Sequence, residues 1–224
     1  ETHMNILTNN ARNLRVSRCL TTALLTILAC ILGTTSWAQN NNTPEKSPED
    51  SLEGSLEDIA TLTLEAQQLT KTYMRTLKKT LQGSIIASGP AASIKVCSIS
   101  APGIEQSLNS QHNWHVARTS TRIRNPNNQP DSWELRVLQN FATKIAKGAP
   151  VKSLEETAMV NLNGKPAFRY MKAISVGNVC LTCHGQKISG SVATAINDRY
   201  PSDQAKGYRK GELRGAFTLY KYLN

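Results

Sequence analysis

The stretch that most constrains this chain is Cys180-Leu181-Thr182-Cys183-His184. Two thiols three positions apart, followed at once by an imidazole, have the order and spacing of c-type haem attachment. In that chemistry each thiol adds to one vinyl group of a porphyrin, and the adjacent histidine becomes a ligand of the iron. Three rival readings are weaker. A zinc site needs a second Cys or His pair, and the chain has none at suitable spacing. A thioredoxin-like redox pair sits at a strand-to-helix turn of a βαβ unit, and no such unit is legible here. The third rival is a chance match or a structural disulfide, and the compartment tells against it. Haem of this kind is attached outside the cytoplasm, and the chain has the marks of export.

Those marks lie at the start. Arg12, Arg15 and Arg18 form a positive segment, an apolar run follows over 19–35, and Ser36-Trp37-Ala38 offers small residues for cleavage. The run is shorter than the roughly 20 residues a membrane span needs. Residues 1–38 are therefore expected to be a signal peptide removed after Ala38, with Met4 as the initiator. Residues 39–50, rich in Asn, Pro, Ser and Glu, read as a disordered tether, and 51–224 as one domain. Cys19 and Cys30 leave with the leader, so the mature chain keeps Cys97, Cys180 and Cys183. Loss of three arginines and Glu1 takes the net charge from +10 to +8. Export argues against a nucleic-acid partner. A basic face suits an acidic redox partner or peripheral contact with an anionic membrane, or it simply keeps the protein soluble.

The remaining chain reads as α+β, helices first and then an antiparallel sheet. Leu56, Ile59, Leu62, Leu69, Tyr73, Leu77 and Leu81 recur at helical spacing and predict a helix over 51–87, ended by Gly89-Pro90. A second helix over 91–98 carries Cys97, Ala101-Pro102-Gly103 interrupts, and a further turn or two follows over 104–109. Alternating β-branched and basic residues predict a strand over 115–124. Asn125 to Pro130 read as a loop. Asp131 and Glu134 form a capping box for a helix to Lys147, with Gly148 as its stop. Strands over 157–162 and 166–174 are joined by the turn pair Asn163-Gly164. The haem motif follows in a loop, then a short helix over 191–199 and a closing strand over 212–222.

Nothing after His184 is an easy second iron ligand, because 185–224 contains no Met, His or Cys. The candidates lie upstream: Cys97, His112, His115, Met74, Met159 and Met171, with a lysine, a tyrosine or no ligand as the remaining options. The three methionines also read as core packing, and the two histidines as solvated surface groups. Arg118, Arg122 and Arg124 offer charge-assisted bonds to porphyrin propionates, or else form a solvated basic strand face.

Several stretches resemble a known family, the exported single-haem c-type domains of PAS-like fold, found alone or as the sensing part of histidine kinases. They are Ala92-Ser93-Ile94-Lys95-Val96-Cys97, Arg118-Thr119-Ser120, the run from Arg122 to Asp131, the haem motif extended by Gly185, Tyr200-Pro201 with Asp203, Ala205 and Gly207-Tyr208, and the run from Gly211 to Phe217. The match spans about 56–222. The resemblance implies one covalent haem c per chain in a PAS-like domain, ligated by His184 and by the Cys97 thiolate. It also implies a stand-alone form, since no kinase segment follows in this sequence.

A thiolate ligand favours ferric iron and a low potential. Two axial side chains leave no open site, so an enzyme is not expected. The expected function is periplasmic redox sensing or electron transfer with an unidentified redox partner. The alternatives are a nitric oxide or carbon monoxide sensor working by ligand exchange, or a weak haem peroxidase.

Overall fold

A long amphipathic helix opens the fold because its apolar residues return every three or four positions. The computed structural model describes residues 48–223, with side chains from Asp58 onward. Helix α1 (Pro48–Ala92) opens three residues before the expected start at position 51. It buries Leu62, Ala66, Leu69 and Tyr73 along one face. The expected leader (1–38) and most of the expected tether (39–50) lie outside the described residues.

The helix breaks where Gly89-Pro90 predicts it. Gly89 has φ 78° and ψ 170°, a conformation that glycine alone takes readily. The Ser93 hydroxyl donates to the Gly89 carbonyl at 2.7 Å and ties back to the Ser84 hydroxyl at 3.0 Å, so the freed backbone group is satisfied. The separate helix expected over 91–98 is instead a π-helical turn, Val96–Ser100, which carries Cys97. It runs directly into α2 (Ala101–Gln111). Ala101-Pro102-Gly103 does not interrupt the helix, because Pro102 falls in the first turn of α2, where a missing N–H leaves nothing unsatisfied.

Strands β1 (His115–Thr119), β2 (Glu155–Leu162), β3 (Lys165–Ser175) and β4 (Leu213–Tyr222) form one antiparallel sheet in the order β1-β4-β3-β2. The β2–β3 hairpin turns on Asn163 and Gly164, both at positive φ. β1 is shorter than the expected strand over 115–124. Its pairing with β4 ends at Thr119↔Ala216. Beyond that, the Ser120 hydroxyl donates to the Arg214 carbonyl at 2.7 Å and takes over the ladder position. Arg122 and Arg124 therefore lie past the strand.

The sheet is covered on both faces. Val116, Phe168, Tyr170, Phe217 and Leu219 pack on α1 with Trp114 and Leu108, and Tyr73 meets Phe217 edge to face at 5.2 Å. The opposite face, with Met171, Ala173 and Ala216, packs on Val137, Leu138 and Phe141 of α3 (Ser132–Ala146). The predicted capping box opens α3. The Asp131 carboxylate accepts from Glu134 N at 2.8 Å, and Glu134 accepts from Asp131 N at 3.0 Å. Both carboxylates also hold buried Arg169, at 2.7 and 3.1 Å. Among the described residues no helix is long and apolar enough to cross a membrane.

Glu134→Leu removes from the interior the acceptor of the Thr218 hydroxyl (2.7 Å) and the more buried of the two carboxylates that hold Arg169. The expected loss is about 3–5 kcal/mol, against about 1–2 kcal/mol for the cap variant Asp131→Ala, both read by urea denaturation. Acid adds a second test. Burial pushes the Glu155 carboxyl up, but hydrogen bonds from Tyr170, Lys172 and Gln67 outweigh it and hold its pKa below the ordinary value. That stabilisation is full above the unfolded-state pKa of about 4.3 and is lost as pH falls through the folded value. Glu155→Gln should flatten this part of the stability–pH curve.

Candidate functional site

The chain between β3 and β4 is clasped at its base. Val176 N donates to Glu212 O, and Gly211 N to Val176 O, both at 2.9 Å. Immediately inside the clasp, Gly177 N donates to Cys180 Sγ at 3.3 Å, and the backbone winds into α4 (Asn178–His184). The motif was expected in a loop. On a helix, Cys180 stands three and four positions from Cys183 and His184, so all three share one side. The helix stops at Gly185, whose N–H donates to Leu181 O at 2.9 Å. A Cβ at position 185 would run into that same carbonyl oxygen.

His184 is oriented by the segment that follows the next helix, α5 (Gly190–Arg199). Its Nδ1 lies 2.7 Å from the Ala205 carbonyl oxygen. A carbonyl only accepts, so Nδ1 carries the proton and Nε2 keeps a free lone pair. Two backbone bonds fix the same join, Tyr208 N to His184 O and Gly207 N to Gly185 O, each 2.9 Å. The Tyr208 ring meets the imidazole edge to face at 6.4 Å. Burial, aided by the charges of Arg214 and Arg124, holds the His184 pKa well below the ordinary histidine value, so the ring stays neutral. A neutral imidazole with a free Nε2 is the form that binds a metal.

Arg124 fastens the two segments together. Its side chain is 6% exposed and that of its partner Asp203 is 0% exposed. Nε and Nη2 grip the two Asp203 oxygens at 3.0 Å each, and Nη2 also donates to Cys183 O at 2.6 Å and Ala205 O at 3.3 Å. One guanidinium thus reaches the backbone of the motif and the carbonyl that orients its histidine. Nη1 of Arg124 is buried and has no hydrogen-bond partner.

Cys97 approaches from the π-helical turn. Ile94, one turn earlier, packs in a buried cluster with Cys183, Val192, Ile196 and Tyr200. Burial raises the Cys183 pKa. The Cys97 thiol is itself raised by burial, against the pull of Arg118, Arg124 and Arg214. Ile94 thus ties the segment that carries Cys97 to Cys183 of the motif, whose backbone Arg124 also grips. Arg118 is held by Glu105 at 3.2 Å, and Glu105 also accepts from Tyr73. Arg122 is exposed, with its guanidinium 4.1 Å above the Tyr208 ring.

The other upstream candidates lie elsewhere. His112 and His115 are exposed, and His115 stacks on Tyr220 at 4.6 Å in a cleft with Glu134 and Arg169. Met171 is fully buried beneath α3, as core packing predicts. Met74 and Met159 are 50% and 51% exposed, and so are not core residues. Asp203, Ala205 and Tyr208 carry roles in the site that their place in the family-like stretches did not define. The same holds for Arg214, which lay in the family-like run from Gly211 to Phe217 with no role attached to it.

Among the described residues no three His, Cys, Asp or Glu side chains converge as ligands for a bare ion. The donor set suits a larger group held from one helix. It offers two thiols on one helical side, a free Nε2 beside them, a third thiol from another segment and an unsatisfied buried N–H at Arg124. These residues suit an iron porphyrin, with Cys180, Cys183 and His184 presented from one helix.

Asp203→Ala strips buried Arg124 of its counter-charge, and an expected loss of about 3–5 kcal/mol follows in urea denaturation. Gly185→Ala should also destabilise the fold and should move the His184 imidazole signals in a nuclear magnetic resonance spectrum. Gly190→Ala, at a position with open space around it, should leave them in place.

A comparison with curated proteins finds no match. Among solved structures, the chain is similar to the crystal structure of the cyanobacterial heme-protein Tll0287, at 24% identity and a TM-score of 0.53, over 75% of this chain and 96% of that one. That likeness carries the fold. Residues 49–221 match the sequence profile of the Tll0287-like family, and by that match the chain belongs to the Tll0287-like family.

Proposed function

We propose that this protein is an exported, PAS-like c-type cytochrome with one covalent haem c, acting in redox sensing or electron transfer. The observation that carries the reading is the C-x-x-C-H helix α4 with His184 Nδ1 bound to Ala205 O, which leaves Nε2 free beside two thiols. The solved relative is a haem protein by description, which supports the same choice of group. Bound haem supplies one-electron chemistry between ferric and ferrous iron.

The roles of the chain's residues follow from the site. Cys180 and Cys183 would tether the porphyrin, each adding its S–H across a vinyl double bond with no leaving group. His184 ligates through Nε2, and the Ala205 carbonyl keeps it in the right tautomer. Cys97 binds as a thiolate, giving up its proton on ligation. Its donation favours the ferric state and a low potential. With His184 and Cys97 both holding the iron, the site would serve redox chemistry in place of catalysis on a small substrate. Its redox partner is acidic, matched to the basic surface, and its compartment is the periplasm.

The sensing form of this reading, in which nitric oxide or carbon monoxide displaces the thiolate after reduction, is favoured by one feature. Cys97 sits on a π-helical turn between two helices, a segment able to respond when its ligand bond is lost.

Acid-acetone extraction of denatured protein should leave the haem attached, and the reduced pyridine derivative should absorb as a c-type adduct. Haem released into the solvent would end the reading. Cys180→Ala or Cys183→Ala should leave one thioether or block maturation. Cys97→Ala should turn a low-spin ferric spectrum with a thiolate signature high-spin or water-ligated and raise the reduction potential. An unchanged ferric spectrum would remove Cys97 from the ligand set.

A further inference from the structure

The charges of Arg118, Arg124 and Arg214 are not equally balanced. Arg118 is paired with Glu105 at 3.2 Å, and Arg124 with Asp203 at 3.0 Å. Arg214 has no carboxylate within ion-pair reach among the described residues. Its Nη1 donates to two neutral oxygens, the Ser120 hydroxyl at 3.0 Å and the Arg122 carbonyl at 3.1 Å. Its guanidinium lies 5.5 Å from the centroid of the Tyr208 ring, the ring that also meets His184. Arg214 is therefore one aromatic ring away from the candidate iron ligand. Burial works against its charge and lowers its pKa. Arg214 is partly buried, and its guanidinium, with no counter-ion, is available to take an anion through charge-assisted bonds.

A second lack is found at Arg124. Arg124 Nη1 is a buried donor with no acceptor, although Nε and Nη2 of the same side chain are engaged. The charge of Arg124 is already met by Asp203, so what it needs is an acceptor oxygen and not a further charge. One carboxylate answers both needs through charge-assisted bonds. Arg118 and Arg122 have no such requirement, the first being paired and the second solvated.

We propose that a propionate carboxylate of the bound haem is anchored by Arg214, with Arg124 Nη1 as its second donor. The assignment rests on the haem reading above and names a residue outside the expected set of Arg118, Arg122 and Arg124.

The test uses purified holoprotein with Arg214→Gln, Arg214→Lys and Arg122→Gln. Resonance Raman spectra read the propionate bending bands, and redox titration reads the potential. Arg214→Gln should shift the bands and lower the potential, because a cation that eased electron uptake is gone. The expected size is about a tenfold change in the ferric-to-ferrous ratio at fixed ambient potential, about 59 mV for one electron. The low-spin ferric spectrum should persist, since the axial pair is untouched. Arg214→Lys should restore the potential more fully than the bands, because it keeps the charge and loses the fork. Arg122→Gln should change neither.

Bands and potential unchanged in Arg214→Gln, or the same shifts in Arg122→Gln, would overturn the assignment. If Arg214→Gln yields no holoprotein, wild-type bands in Arg214→Lys would do the same. Added phosphate that moves the wild-type bands and potential would mean a free anion occupies Arg214, and this too overturns it. Wild-type protein without covalent haem would instead bring down the functional reading itself.

Discussion

The buried pair between Arg124 and Asp203 is the interaction on which the geometry of the site depends. Its side chains are 6% and 0% exposed, and placing two charges so deep is costly in desolvation. A well-packed apolar pair would hold the same segments together at least as firmly. What it would lack is direction. The guanidinium reaches Cys183 O at 2.6 Å and Ala205 O at 3.3 Å, so the second cysteine of the motif and the acceptor of the histidine proton are referenced to one rigid plane. Asp203 completes the arrangement by accepting from Ala205 N at 2.9 Å, which sets the carbonyl that His184 uses. The charge serves to position backbone groups, and its stabilising effect is secondary.

Signals local in sequence were legible. The capping box at Asp131 and Glu134, the Asn163-Gly164 hairpin and the Gly89-Pro90 break each depend on a few adjacent residues, and each stands in the fold. The thiol and imidazole spacing of 180–184 was legible for the same reason. Features set by distant contacts were not. Alternation of Arg118, Arg122 and Arg124 suggested one strand face, but the ladder ends at Thr119. Ser120 is drawn to the Arg214 carbonyl, 94 residues away in sequence. The three arginines then diverge: one goes to Glu105, one lies at the surface over the Tyr208 ring and one goes to Asp203. Pro102 misled because a proline in the first turn of a helix looks, in sequence, like a proline that ends one. Met74 and Met159 misled because a helical or strand period places a residue on a face without saying that the face is covered.

The π-helical turn that carries Cys97 joins these two kinds of feature. Its sequence has nothing that breaks a helix, yet α-helical geometry is lost over Val96–Ser100 and the Ala101 N–H bonds to Val96 O, one residue further back than in an α-helix. The segment is held from both sides. Before it, buried Ser93 is tied to Gly89 and Ser84 of α1, and Ile94 is locked into the cluster around Cys183. After it, α2 presents Glu105 to Tyr73 and Arg118. With its ends fixed, the extra residue is taken up between them, and Cys97 lies in that stretch. A π turn has poorer hydrogen-bond geometry than the helices flanking it, so it persists only where its surroundings or a bond made by its own side chain favour it. In the proposed cytochrome that bond is the iron–thiolate bond. Coupling between a ligand event and the fold requires an element with two accessible arrangements. A turn one hydrogen-bond register away from regular α-helix, joined to α1 on one side and to the Arg118 network on the other, meets that requirement more closely than the rigid sheet behind it.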